Sequence, residues 1–289
     1  MNSRSVILVG LPDSGKTNYL ARLWEALRSK RGKLVCPTMP DNVQYLEEVL
    51  AHLHRGAFAP RSDKALEALR KDILIPIRMA DGGPNDVVEA IVPDVSGELW
   101  NKAVETFEIS PEWMDELEKS SGALLFVRVH SDLNVSPLDW VTTRSLLRSE
   151  AMLIPDQDKT PTQVIMCELI RFLALKLRAH DNGSKPKVAV IVSAWDRLDS
   201  EIAARGPFAY LRSEFPLFAG RLQGEERLDV QIFGVSVVGG DFVDENFRRE
   251  YLRNDTTKSG FVVTETIDGP RVVNDLSLPM AWLINGQQD

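Results

Sequence analysis

"GLPDSGKTNYL", residues 10–20, follows the apolar run Ser5-Val6-Ile7-Leu8-Val9 and leads into a stretch with helical spacing. A short apolar run closed by glycine reads as a buried strand. Beyond it Leu20, Leu23, Trp24 and Leu27 recur at i, i+3, i+4 and i+7, the single apolar stripe of a helix laid on a sheet. Between the two, Gly10 to Thr17 fits the pattern G-x-x-x-x-G-K-[ST] in full. Glycines in such a loop let the backbone curl its N–H groups inward as a nest for phosphate oxygens, and the following helix adds the positive end of its dipole. Lys16 can then reach the β and γ phosphates as a point charge, and the Thr17 hydroxyl is the hard oxygen ligand that Mg2+ prefers. Gly10, Pro12, Asp13, Ser14, Gly15, Lys16, Thr17 and Asn18 are therefore candidate nucleotide-binding residues, Lys16 also a candidate catalytic residue and Thr17 a candidate metal ligand. Asp13 is an odd guest in this loop. A carboxylate beside a triphosphate is repelled unless it points to solvent or pairs with a cation, so its side chain is expected to point outward.

Working outward, further apolar runs suit buried strands: 72–79 (DILIPIRM), 86–95 (DVVEAIVPDV), 122–130 (GALLFVRVH), 187–195 (KVAVIVSAW) and 229–238 (DVQIFGVSVV). The Asp-Gly-Gly of "ADGGPN" between the first two of these reads as a tight turn, which makes them antiparallel neighbours. Helix-spaced segments alternate with the strands, notably 161–180 behind Thr160-Pro161, 41–54, and the terminal "DLSLPMAWLING". The pattern predicts an α/β fold: a mostly parallel six-stranded sheet with one antiparallel edge strand and helices on both faces. The expected organisation is one domain over 1–289 with helical insertions at about 30–70 and 131–160, the second holding a helix in "SPLDWVTTRSLLRSEAML". Residues 55–64 read as a loop.

At the end of the third predicted strand, Asp94-Val95-Ser96-Gly97 makes a D-x-x-G. In the strand order of a phosphate-binding loop this places Asp94 to hold Mg2+ through water and the Gly97 N–H to meet a γ-phosphate. A segment ordered by that phosphate and released on its loss is a switch.

With "GLPDSGKT", "DVSG", the strand-final "SAWD" and the strand-final "GVSVVGG", the chain resembles the Ras-like P-loop GTPase superfamily over about residues 5–240. It is most similar to the bacterial double-GTPase families of conflict and defence gene clusters. The resemblance implies GTP and GDP as ligands, Mg2+ as cofactor and a regulatory or effector protein as partner. Family members carry Asn-Lys-x-Asp after the fifth strand, the aspartate accepting from the guanine N1 and N2 donors. Here the position reads Ser193-Ala194-Trp195-Asp196, so only Asp196 matches. Ser236 with Val237 is the nearest match to the pair whose backbone touches guanine O6, and Trp195 is expected in the core. A first-switch hydroxyl is implied before the second strand, which nominates Ser62 as metal ligand with Thr38 as competitor, and Arg61 as an internal arginine finger. Where most members have a water-orienting glutamine this chain has Glu98, whose charge opposes the γ-phosphate and predicts sluggish turnover. The partial match of "SAWD" leaves an ATP-dependent P-loop NTPase open, and Glu98 leaves open a scaffold that binds nucleotide without hydrolysing it.

Other chemistries find no support. Cys36 and Cys167 stand far apart without a metal spacing, His52-x-His54 diverges around a helix, and no G-x-S-x-G elbow occurs. A net charge of −8 at pH 7 argues against a nucleic-acid surface, and the basic run Arg28 to Lys33 reads as a solvated helix end. The absence of a leader pattern, of a long apolar stretch and of disulfide spacing predicts a cytoplasmic protein without a membrane span.

Overall fold

A computed structural model of the chain describes residues 2–40, 43–59, 73–83, 87–92, 97–106, 108–109, 111–137, 160–179 and 183–285. The chain opens with β1 (Asn2–Gly10), which continues at its C-terminal end into the glycine loop and then α1 (Lys16–Ser29). After β2 (Leu34–Val35) and α2 (Gln44–Leu53) come β3 (Ile73–Met79) and β4 (Val88–Val92). These two pair antiparallel around the anticipated Asp-Gly-Gly turn, with Ile73 opposite Val92 and Ile77 opposite Val88. Next in the chain are α3 (Gly97–Thr106), α4 (Pro111–Lys119), β5 (Ser120–Arg128), α5 (Thr162–Lys176) and β6 (Lys187–Ser193). Then follow α6 (Ser200–Ala203), α7 (Pro207–Glu214), α8 (Pro216–Gln223) and β7 (Asp229–Ser236). The last elements are α9 (Glu245–Arg253), β8 (Phe261–Thr266), β9 (Gly269–Val273) and α10 (Leu278–Ile284).

The sheet order is β2-β3-β4-β1-β5-β6-β7-β8-β9. From β4 through β7 every pairing is parallel, and β3 is antiparallel to β4, so the six expected strands stand together as read from the sequence. Both margins extend further. The two-residue β2 adds to β3, and the β8–β9 hairpin adds antiparallel to β7.

Period-2 alternation sends each central strand's side chains to two cores. Val6 and Leu8, Leu124 and Phe126, Ala189 and Ile191, with Phe233 and Val235, pack under α1, α2 and α10. Ile7 and Val9, Leu125 and Val127, Val188, Val190 and Val192 pack under the opposite layer with α5, α7 and α8. Near-continuous apolar strands are the expected signature of a sheet covered on both faces, each fully buried side chain contributing about 1.5–3 kcal/mol. Helix α5 starts one residue after Pro161, which sits at its N-cap, and buries Ile165, Met166, Leu169, Ile170 and Leu173 against the sheet. Its outer face is wetter than the sequence suggested: Leu175 is half exposed. Trp195 lies in the core as expected, edge-on to Tyr210 and pressed onto Gly234, where a Cβ would meet the indole at 2.6 Å. The loop expected over 55–64 is described only to Ala59. There Gly56 lies at φ +67 and Phe58 leans on Phe242 with ring centroids 4.9 Å apart. The helix expected within 136–153 falls almost wholly outside the described residues. No helix among the described residues is long and apolar enough to cross a membrane.

Candidate nucleotide site

Strand β1 delivers the loop at the C-terminal edge of the sheet, where parallel sheets gather ligand sites. Gly10 has φ +151, and a Cβ there would meet Ser14 Oγ at 2.9 Å and Phe126 O at 3.0 Å, so only glycine leaves the strand here without pushing β5 aside. Gly15, at φ +90, starts α1 in a left-handed turn and faces Ser193 Oγ, which stands 3.4 Å from where its Cβ would be. The Ser14 N–H closes the loop onto Leu11 O at 3.3 Å. Lys16 is buried, and its Nζ donates to Gly10 O (2.8 Å), Leu11 O (3.0 Å) and Ser14 Oγ (3.2 Å). An ammonium held on loop carbonyls at the start of a helix stands where an anion at that helix end would meet it. Thr17 and Asn18 occupy the first turn of α1, half buried. Asn18 Oδ1 is buried with no hydrogen-bond partner among the described residues.

Beside this loop lies a cavity of about 320 Å3. Asp13, Gly15, Asn18 and Arg128 line it at the loop, Ser193 adjoins them, and Asp196, Arg197, Val237 and Asp241 complete the polar and charged lining. Asp13, at φ 61, is exposed yet lines the cavity, and it is paired with a cation: Arg128 Nη1 lies 2.6 Å from its Oδ1. Sequence reading passed over Arg128, because an arginine ending a strand reads as solvated. Only the β1–β5 register, Gly10 opposite Phe126, brings it to the loop.

Ser193 was equally easy to misjudge. As a substitute for asparagine it looked like a loss, yet its hydroxyl donates to Ser14 O at 2.8 Å and pins the end of β6 to the phosphate loop. Ala194 follows at φ 56, turning the chain so that Trp195 enters the core while Asp196 faces the cavity. Burial pushes the Asp196 carboxyl above the usual aspartate range, and a hydrogen bond from Ser236 works against that. Ser236 is itself fully buried, and its Oγ accepts from the Gly239 N–H at 2.8 Å. The chain's last parallel strand thus orients the aspartate through a hydroxyl. Asp241 raises the Asp196 carboxyl further and Arg197 lowers it. The remaining wall is apolar: Phe58, Tyr19, Phe126, Ile191 and Val235. Phe58 lies 42% exposed, a flat apolar surface open toward the cavity that composition and spacing did not single out.

Some expected residues lie outside this account. Asp94, Arg61 and Ser62 are not among the described residues. Gly97 and Glu98 open α3, directly after the segment that leaves β4. Thr38 is exposed beyond β2 and does not line the cavity. Among the described residues no group of three or more His, Cys, Asp or Glu could hold a metal ion. Mg2+, which keeps several waters and binds through few protein oxygens plus phosphates, fits the Thr17 hydroxyl next to the loop without such a cage.

The family model described as Double-GTPase 1 matches residues 7–283 of the chain. No curated protein matches it.

Proposed function

Because the chain belongs to the Double-GTPase 1 family of P-loop GTPases, and so is a GTP-binding protein, we propose that it works as a Mg2+-dependent, GTP-controlled switch that hydrolyses GTP slowly and regulates a partner protein. The observation that carries this reading is one cavity lined both by Gly15 of the glycine loop and by the half-buried Asp196, which Ser236 orients. Polyphosphate and base would then be gripped together.

In this reading Gly10, Pro12, Asp13, Ser14 and Gly15 supply the backbone cradle, with the Asn18 N–H at its edge, and Lys16 neutralises the β and γ phosphates. Asp196, held by Ser236, accepts from the guanine N1 and N2 donors, which adenine lacks. Thr17, Asp94 and Ser62 would hold Mg2+, which when bound supplies charge neutralisation for the leaving diphosphate. The Gly97 N–H contacts the γ-phosphate, so the start of α3 would settle when that phosphate is present and relax when it leaves. In hydrolysis a water oxygen bonds to the γ-phosphorus and the bond to the β–γ bridging oxygen breaks, giving GDP and inorganic phosphate. Glu98 accepts a hydrogen bond from that water, and Arg61 meets the charge that develops. Glutamate in place of a neutral amide holds the rate down through repulsion of the γ-phosphate. The unit acts as one GTPase domain in the cytoplasm, and the family resemblance supports a setting in bacterial defence or conflict systems.

Single-turnover release of phosphate from bound GTP tests this. Turnover slower than about one per minute with Mg2+, and slower still with a chelator, is expected. Rates in the hundreds per second would contradict the role given to Glu98. Tight GTP binding with no phosphate released over hours would favour the non-hydrolysing scaffold that the same residue suggests. Binding of ATP in preference to GTP would favour the ATP-dependent reading that Ser193-Ala194 leaves open.

A further inference from the structure

We propose that Arg128 is a positioning residue of the phosphate loop, cancelling the charge of Asp13 and fixing the loop's shape so that a polyphosphate can enter beside an acidic side chain. The inference rests on the nucleotide reading above and assigns a residue that lies outside every motif in the chain.

Arg128 is the last residue of β5, two positions beyond the residue that pairs with Gly10, so the strand register sets its guanidinium against the loop. Its Nη1 makes two contacts with one residue: 2.6 Å to Asp13 Oδ1 and 2.9 Å to Asp13 O. Holding the carboxylate and the carbonyl of the same residue fixes both its charge and its backbone. That matters here because Asp13 sits at φ 61, a left-handed conformation that aspartate tolerates but does not prefer. The pair is half withdrawn from solvent, with Arg128 26% and Asp13 41% exposed, so its mutual attraction is less screened than on an open surface.

The charges around the cavity show why such a device is needed. Among the described residues its lining carries three carboxylates, Asp13, Asp196 and Asp241, against two guanidiniums, Arg128 and Arg197. Arg197 approaches Asp241 at 3.9 Å, at the far end. Without Arg128 the loop end would present Asp13 uncompensated to the incoming phosphates. Arginine suits the post better than lysine, because its planar fork can hold Asp13 with one nitrogen and keep other donors in reserve. Its Nε is buried with no hydrogen-bond partner among the described residues, a donor that a ligand oxygen or a bound water at this wall can satisfy.

The test measures affinity of the full chain for GTP, GDP and guanosine in Arg128→Gln, Arg128→Lys and the double variant Arg128→Gln with Asp13→Asn. Thermal unfolding without nucleotide is recorded for each. Arg128→Gln is expected to weaken GTP by about tenfold, GDP by less and guanosine hardly at all, since the penalty scales with ligand charge. Lysine should recover part of the loss, and the double variant most of it, because the second change removes the charge that Arg128 serves to cancel. A double variant no better than Arg128→Gln overturns the proposal, as does an equal loss for guanosine and GTP, which would mark a purely structural role. Should Arg128→Gln fail to fold, the lysine variant decides: GTP affinity unchanged relative to guanosine would overturn the proposal. A wild-type chain that binds no nucleoside triphosphate would overturn the functional reading and this proposal with it, whereas wild-type binding without charge rescue would overturn this proposal alone.

Discussion

At the loop end of the cavity the lining comes mainly from one short run, Asp13 to Asn18, with Arg128 set against it from β5. Beyond it the lining comes from Phe58, Ser193, Asp196 and Asp241, brought together from three separate stretches of chain. The loop end is built mainly of backbone: glycines at positive φ, loop carbonyls and the lysine they hold. The far end is built of side chains, each held by another, as Asp196 is by Ser236 and Ser236 by Gly239. A backbone cradle binds the charge that all nucleoside triphosphates share, whereas side-chain donors and acceptors can tell one base from another. In the proposed reading, affinity and selectivity reside in different halves of the same cavity and should fail separately.

The largest effect belongs to the loop. Lys16→Ala should lower triphosphate affinity about a hundredfold or more, for GTP and ATP alike, with the fold retained, since the bonds it gives to Gly10 O, Leu11 O and Ser14 Oγ lie within the loop. Titration calorimetry beside circular dichroism checks both halves of that statement. A selective loss, with ATP spared, would break the division between the two ends.

Next comes Asp196→Ala, expected to leave the phosphate grip in place while reducing the preference for GTP over ATP by about ten- to a hundredfold, because guanine's donors lose their acceptor. Competition of a fluorescent guanine nucleotide by unlabelled GTP and ATP reads the ratio directly. The same residue gives a pH dependence. Burial raises the folded-state pKa of Asp196, so it takes up a proton at a higher pH than an ordinary aspartate. A protonated carboxyl cannot accept both guanine donors, so GTP affinity should fall on acidification as pH approaches that raised value, with ATP affinity flat. The stability linkage of this group has the opposite sign. A raised acid pKa means the folded chain binds the proton more readily than the unfolded chain, so Asp196 adds stability as pH falls and cannot cause the loss of binding by unfolding.

The smallest effect joins the two ends. Ser193→Ala removes the 2.8 Å bond to Ser14 O and should cost about 1 kcal/mol of stability, with a few-fold loss in triphosphate affinity and no change in base preference. A change in base preference instead would place Ser193 on the nucleotide itself.

This contrast also explains what could be read from the sequence. The loop is a local pattern, and the apolar strands around it are continuous runs, so the motif, six strands and the β3–β4 reversal were legible, while the order of strands across the sheet was not. The β8–β9 hairpin was not anticipated, although Asp268-Gly269 stands between Val262-Val263 and Val272-Val273, a turn signal between short apolar pairs. Its strands are too short and too polar to stand out as buried runs, Glu265 and Arg271 being exposed. β2 is only two residues long, and no periodicity can show that. At the site, Asp196 was found because it keeps one letter of a pattern. Arg128 and Phe58 were missed because nothing about an arginine ending a strand or a phenylalanine in a loop says what lies across from it. That information resides in sheet register and loop packing, which are long-range properties.

The central claim is that one cavity holds the polyphosphate and reads guanine. Calorimetric titration of the purified chain with GTP, ATP and inorganic triphosphate in Mg2+ tests it most directly. The account predicts one binding site per chain, with GTP tightest, ATP weaker by at least about tenfold and triphosphate competing with both. Equal affinity for GTP and ATP, or GTP binding that triphosphate fails to displace, would contradict it.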